Sequence, residues 1–573
     1  MAPTHDIVIR SGTVIDGRGA MAHIADVAIN GGRIVAIGEV EGVGREEIDA
    51  TGLIVTPGFI DLHTHYDGQV TWEHALAPSS NHGVTTVVMG NCGVGFAPCR
   101  PDDRQRLIKL MEGVEDVPEI VMTEGIPWNW ETFPEYLDAL DQRPLDIDIA
   151  AQVPHSALRI YVMGERGAAR EEANPEDREA MRELVADAVR AGAWGVSTSR
   201  MIFHRSADGS PIPSLGSTTE ELAALGGGLA DAGAGVFQMV PDFFNPPEIE
   251  LAVLREVAGS SGRPASFTLA QAGPGKTKDN WRGYLSGLAE ARSEGLTIRG
   301  QVFPRPIGML AGLDLSFNPL CRRSSWREIA DLPLAGKVAR LRDPEFRARI
   351  LAEPDEPHVL PTVNVILDRL EEMTVLDDEP DYFPGAEDTL GAQAEAARMP
   401  LVEFALDRML ERGGARVLYL PAGNYADHSS EAIEGFLADP NCMLGLGDGG
   451  AHYGMVCDAS FPTTLLTRWV GGVDGMPLER AVAKLSSEPA DYMGFVDRGR
   501  IEVGALADVN VIALDRLKLH PPRIVRDLPT GGRRLRQEAD GYAATIKSGV
   551  VTYREGDPTG ALPGRLVRNG TLQ

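Results

Sequence analysis

The 573-residue chain carries 54 Lys and Arg against 83 Asp and Glu, a formal net charge of −29. That balance excludes a nucleic-acid-binding surface and an anionic-membrane surface, while 43% hydrophobic and 24% charged residues are ordinary for a globular enzyme. The length implies more than one domain.

No apolar run approaches the roughly 20 residues needed to cross a bilayer. Met1 to Asp6 carry neither a basic n-region nor a long apolar core, so no signal peptide is expected. The five cysteines (Cys92, Cys99, Cys321, Cys442 and Cys457) are odd in number and show no short paired spacing, which suits a reducing cytoplasm.

In chain order, residues 6–49 read as β-rich. Two β-branched runs flank Ser11 and Gly12, and alternating apolar residues flank Asn30-Gly31-Gly32, a hairpin signal. Similar short strands return at 504–513 and 543–554. Two β-rich ends around a long centre predict one small sheet domain assembled from residues 1–55 and 495–573. The centre, 56–494, alternates strands with helices. Asn174 before Pro175 opens one helix, and Thr218 with Glu221 forms a capping box for the next. Eight strands can be counted: 59–62, 85–89, 147–153, 193–199, 235–240, 265–270, 297–303 and 442–446. Such repeated units predict an α/β fold of the (β/α)8 TIM-barrel kind, with chemistry at the C-terminal strand ends. A Pro-, Arg- and acid-rich stretch near 304–400 interrupts the rhythm and reads as an insertion, either a lid over the mouth or an oligomer contact.

Each candidate for chemistry lies just beyond a predicted strand. His63 and His65 end the first, on one face because strand side chains alternate, and two adjacent imidazoles can grip a divalent metal. Cys92 follows the second strand, His155 the third, and Arg200 with His204 the fourth. Asp448 follows the eighth between glycines, and His452 comes four residues later. Arg200, His204 and Arg305 are candidates for holding an anionic substrate group. Facing the histidine pair, Asp448 is placed to take a proton from water activated by a metal.

The segments Pro57-Gly-Phe-Ile-Asp-Leu-His-Thr-His65, Gly83-Val-Thr-Thr-Val-Val-Met-Gly-Asn-Cys-Gly93, Gly445-Leu-Gly-Asp448-Gly and Ala505-Leu-Ala-Asp508 together resemble the amidohydrolase superfamily, and within it the N-acyl-D-amino-acid deacylases (D-aminoacylases). The resemblance implies a (β/α)8 barrel with a small β-sandwich, a zinc centre of one or two ions, and hydrolysis of an amide. It also implies that His63, His65 and Cys92 occupy metal-site positions and that Asp448 is the catalytic aspartate. Two departures stand out. The metal histidines usual after strands five and six are absent from Phe237–Asp242 and Phe267–Ala272, and Gln271 stands near the usual carboxylate-holding lysine.

The expectation is therefore a zinc-type hydrolase of a small N-acyl compound, with His63, His65 and Asp448 as the principal ligands. A cyclic amide or lactone hydrolase, and a non-catalytic barrel with an eroded metal site, are the rival readings.

Overall fold

The computed structural model describes residues 3–273, 275–471 and 475–570; the outermost residues of the expected terminal domain, 1–2 and 571–573, lie outside the described residues. The two ends meet in one nine-stranded sheet. Ile54–Pro57 pairs antiparallel with Val509–Ile512, Thr56 facing Asn510, and parallel with His5–Val14. The ladder is continuous from one end of the chain to the other. His5–Val14 is bulged between Ile9 and Gly12 and pairs with Gly44–Asp49 along one half and Ile54–Pro57 along the other. Ile9, Val27, Ile48, Val55, Val511 and Ile546 fill one shared core. The hairpin at Asn30 turns through Gly31 and Gly32, both at positive φ, as a two-residue turn between right-twisted strands requires.

The centre holds eight parallel strands: β1 (Phe59–Asp61), β2 (Val84–Met89), β3 (Asp148–Ala151), β4 (Gly195–Ser199), β5 (Val236–Val240), β6 (Ala265–Thr268), β7 (Ile298–Val302) and β8 (Cys442–Leu444). They form two ladders. β1, β2 and β3 pair in order, and β4 to β8 continue from Val153–Pro154, the extension of β3 beyond Gln152. Beyond β8, Asp448 N donates to His63 O (3.1 Å) and His65 N to Gly449 O (2.7 Å), tying the last strand's loop to the first strand's. Helices run between the strands. Asn174 caps Pro175–Arg190 by accepting from Asp177 N, and Thr218 caps Thr219–Ala232 by accepting from Glu221 N; the expected capping box at Thr218 is only half made, because the Glu221 carboxylate is turned to His155 and Arg159.

A buried charge knot locks the terminal sheet to the centre. Asp148 at the start of β3 receives Arg498 Nη1 (2.6 Å) and Lys547 Nζ (2.8 Å), and Lys547 also reaches Asp508 (2.8 Å). All four side chains are within 1% of complete burial. The C-terminal residues add a strap along β3, with Ile149 N donating to Arg565 O, Val567 N to Ile149 O, and Trp194 Nε1 to Val567 O.

Residues 307–423 form a unit with its own core, including Phe317, Leu320, Trp326, Leu341, Phe346 and Leu420. Its three-stranded antiparallel sheet takes in Val417–Gly423, past position 400 where the unusual composition ends. This unit docks on the loop after β8 and on Asp116. Leu310 N donates to Met455 O, and Ser316 Oγ donates to Asp116, which also accepts Gly454 N. No helix among the described residues is long and apolar enough to cross a membrane, and all five cysteines are free.

Candidate metal centre

His63 and His65 extend β1 by two and four residues, with Thr64 turned the other way to donate to Val88 O (2.8 Å). Their rings meet edge to face with centroids 5.4 Å apart, and both residues are 2% exposed. Gln301 on β7 fixes the first ring. Its Oε1 lies 2.9 Å from His63 Nδ1, and its Nε2 donates to Ser266 Oγ (3.2 Å). An amide oxygen only accepts, so His63 carries its proton on Nδ1 and presents the Nε2 lone pair. That nitrogen lies 3.3 Å from Cys92 Sγ and 3.5 Å from Asp448 Oδ1.

His63, His65 and Cys92 each offer a donor atom within 4.8 Å of the other two. Asp448 Oδ1 closes the group, 3.7 Å from His65 Nε2, with its side chain 23% exposed. Beyond it, Glu115 Oε2 lies 3.5 Å from His65 Nε2, and His452 Nε2 lies 3.4 Å from the same oxygen. Glu115 ends α1 (Arg104–Glu115), a helix whose buried stripe also holds Ile108, Met111 and Val114.

The backbone at this centre is strained in a concentrated way. Cys92, Leu446, Asp448 and His452 all have φ between 48° and 66°, the left-handed region that side chains other than glycine disfavour. Gly450 explains why the Asp448 loop must be glycine-rich: at φ 85°, an added Cβ would lie 2.8 Å from the His65 carbonyl group. The loop passes that close to the metal-ligand strand.

Burial sets the electrostatics. It pushes the His63 pKa down to about 4, against the Gln301 hydrogen bond, and takes His65 well below its ordinary value. The same burial, helped by Asp448 and Asp67, pushes the Glu115 carboxyl well up; it also raises Asp448 and the Cys92 thiol. Asp61, which accepts His63 N through Oδ1, rises to about 8. Neutral imidazoles beside carboxylates that resist being charged alone are the donor set a divalent cation stabilises, because the cation supplies the charge that burial removes. Neither nitrogen of His65 and neither oxygen of Glu115 has a hydrogen-bond partner among the described residues. The residues therefore fit a divalent cation.

The other sequence candidates have different positions. His204 lies close enough to His63 and His452 that their charges, after burial, help take it to about 3, while its Nδ1 faces Ser199 Oγ (2.8 Å). His155 is engaged elsewhere, with Nδ1 on Thr198 and Nε2 on Glu221, which also receives Arg159. Arg200 is turned to Glu250 (2.8 Å), and Arg305 to Asp458 (2.7 Å) with its guanidinium 3.8 Å over the Tyr382 ring. Gln271 Oε1 accepts Ala426 N, its backbone N–H donates to Asn424 Oδ1, and its carbonyl accepts Asn424 N.

On β5 and β6, buried Gln238 and half-buried Thr268 carry polar side-chain atoms that are shielded from solvent and have no hydrogen-bond partner among the described residues. Glu115 and Gln301 were not singled out from the sequence. Their available signals were an acid on the apolar stripe of a helix and an amide inside a buried strand.

A sequence profile of the Amidohydrolase family matches residues 46–553. The N-acyl-D-glutamate deacylase of Alcaligenes xylosoxydans xylosoxydans is 27% identical over 98% of this chain and 96% of its own. The D-aminoacylase of the same organism is 36% identical over 38% of this chain and 40% of its own. Among solved structures, N-acyl-D-glutamate deacylase from Bordetella bronchiseptica, complexed with zinc and a phosphonate inhibitor, superposes with a TM-score of 0.64. That alignment has 23% identity and covers 98% of this chain and 99% of that one.

Proposed function

The chain belongs to the amidohydrolase family, and from that premise we propose that it is a metal-dependent hydrolase cleaving the amide C–N bond of an N-acyl amino acid or a similar small N-acyl compound. The observation that carries the reading is the convergence of His63, His65 and Cys92, with Asp448 Oδ1 3.5 and 3.7 Å from the two imidazoles. A deacylase relative that aligns along nearly the whole chain supports the bond type. We read the two parallel ladders as one (β/α)8 barrel, joined through Gln152 on one side and through the His65–Gly449 and Asp448–His63 bonds on the other. Free cysteines favour a cytoplasmic setting.

His63, His65 and Asp448, with Cys92, would hold the cation, zinc being the best match to this mixed N, S and O donor set. A bound cation there supplies polarisation of the acyl carbonyl and a nucleophilic hydroxide near neutral pH. The protein's own residues then do the following work. Gln301 keeps His63 in one tautomer and one orientation. Asp448, buried enough to be a stronger base than a free carboxylate, takes a proton at its exposed edge and returns it to the departing nitrogen. The 307–423 unit, docked through Asp116, walls the mouth and limits water around the reacting acyl group.

Asp448→Asn is the direct test. Turnover should fall by about 10²–10⁴-fold, the worth of a positioned acid–base group, when measured with the cation at saturation. Unchanged turnover would remove Asp448 from the reaction.

The pairing of Arg200 with Glu250 and of Arg305 with Asp458 favours a second reading, a cyclic amide or lactone without a free carboxylate. A panel of N-acyl-D-amino acids, hydantoins and lactones separates the two; exclusive lactone turnover would overturn amide hydrolysis. A purified protein that takes up no zinc or manganese would favour the non-catalytic barrel.

A further inference from the structure

Glu115 is an unusual residue to find at the end of a helix. Its side chain is 1% exposed, its two oxygens have no hydrogen-bond partner among the described residues, and it faces two imidazoles at 3.5 and 3.4 Å. Those distances are too long for the charge-assisted bonds a buried carboxylate makes when it pairs with histidine. The same chain shows the ordinary pairing elsewhere, where His155 Nε2 closes to 2.8 Å on Glu221. The separations around Glu115 have another natural explanation. Tetrahedral bonds of 2.0–2.2 Å hold neighbouring ligand atoms about 3.4 Å apart.

Five successive neighbour separations around the centre lie close to that spacing. Cys92 Sγ to His63 Nε2 is 3.3 Å, His63 Nε2 to Asp448 Oδ1 is 3.5 Å, and Asp448 Oδ1 to His65 Nε2 is 3.7 Å. The steps to Glu115 Oε2 and then to His452 Nε2, 3.5 and 3.4 Å, continue the series.

The far members are also held in place. His452 N donates to Glu115 O, so the loop and the helix end are joined at the backbone. The next residue, Asp116, adopts a left-handed conformation and accepts both Gly454 N and Ser316 Oγ. β5 and β6 carry Gln238 and Thr268, an amide and a hydroxyl, which are weak ligands for a zinc-like cation beside imidazole and carboxylate.

We propose that Glu115 and His452 are cation ligands of this chain, building a second cation position on the α1 side of Asp448, whose carboxylate has a second oxygen to share between the two positions, in place of ligands from β5 and β6. The proposal rests on the metal-dependent reading above but makes a separate claim about where the second position lies.

The test uses the full-length protein, stripped with chelator and titrated separately with Zn²⁺ and Co²⁺. Stoichiometry and Kd come from calorimetry, ligand number from the Co²⁺ d–d spectrum, and folding from the thermal midpoint. Wild type is compared with Glu115→Gln, His452→Asn and His63→Ala. Asn is chosen at 452 because it tolerates the left-handed backbone there.

Glu115→Gln and His452→Asn should each weaken one cation at least about tenfold, since losing a ligand costs no less than losing an outer-shell partner, and each should change the Co²⁺ spectrum at that step. If both variants keep wild-type stoichiometry and Kd within twofold while His63→Ala loses its cation, the proposal falls and the hydrolase reading stands. Should wild type bind no cation, both fall. If Glu115→Gln does not fold, His452→Asn alone decides: an unchanged titration overturns the proposal and a weakened second cation supports it.

Discussion

Replacing Gln301 by Leu tests how the centre is oriented from one layer further out. Leucine nearly conserves volume in a position that is 2% exposed, so packing is little changed. What disappears is the acceptor 2.9 Å from His63 Nδ1, together with the donor to Ser266 Oγ. Two effects with separate readouts follow. A buried N–H left without a partner costs about 1–3 kcal/mol, which appears as a lower urea midpoint with an unchanged slope.

Release of the imidazole from one tautomer removes its outer-shell partner, worth 10–100-fold in cation affinity, or about 1.4–2.7 kcal/mol. Titration of stripped protein against a chromophoric chelator measures the second effect. Gln301→Glu supplies the control: a carboxylate accepts the same proton and should hold affinity at or above wild type. A Leu variant whose Kd stays within twofold of wild type would refute the claim that Gln301 orients His63.

Three further outcomes are expected. Lys547→Met leaves Asp148 and Asp508 short of a buried cation and should cost about 3–5 kcal/mol in chemical denaturation; a loss under 1 kcal/mol would show that Arg498 alone neutralises the knot. Burial raises the Asp148 pKa, but Lys547 and then Arg498 more than offset it, leaving that carboxyl below its ordinary value. Its stabilisation is therefore complete above about pH 4 and is lost as pH falls through the depressed folded value. In urea titrations between pH 6 and pH 3, Asp148→Asn should flatten the acid limb of stability, and an unaltered limb would assign acid unfolding to other groups. Gly450→Ala forces a methyl toward the His65 carbonyl at positive φ. It should reduce turnover and stability together, with a stability loss of at least about 1 kcal/mol; a variant indistinguishable from wild type would show that the loop moves freely.

The parts of the molecule legible in the sequence are those whose cause is local. Asn174 before Pro175 caps a helix through its own neighbours, and Gly31-Gly32 turns a hairpin whatever surrounds it. His63 and His65 share a face because strand geometry puts them there. Residues whose role comes from distant partners were not legible. Glu115 is an unremarkable helical acid until the loop after β8 brings His452 to it, and Gln301 meets His63 only through the order of the parallel strands. Arg200 reads equally well as a substrate holder or an ion pair; Glu250, fifty positions on, makes it an ion pair. The acid- and proline-rich stretch concealed a packed unit because its apolar residues, such as Trp326, Phe346 and Leu420, are dispersed among charges and converge only in three dimensions.

The antiparallel contact between Ile54–Pro57 and Val509–Ile512 governs the order in which the molecule can be made. The two strands are separated by about 450 residues, which a ribosome adds in roughly 20 to 90 s at 5–20 residues per second. During that interval Val55, which finishes fully buried, has no cross-strand neighbour from the other end, and Asp148 is made long before Arg498 and Lys547 exist to neutralise it. The nascent chain thus spends most of its synthesis with an open sheet edge and an uncompensated acid at the base of its third parallel strand. Holding chaperones, slow early codons or a stalled ribosome should therefore affect the yield of this protein more than that of a fold whose first domain closes on itself.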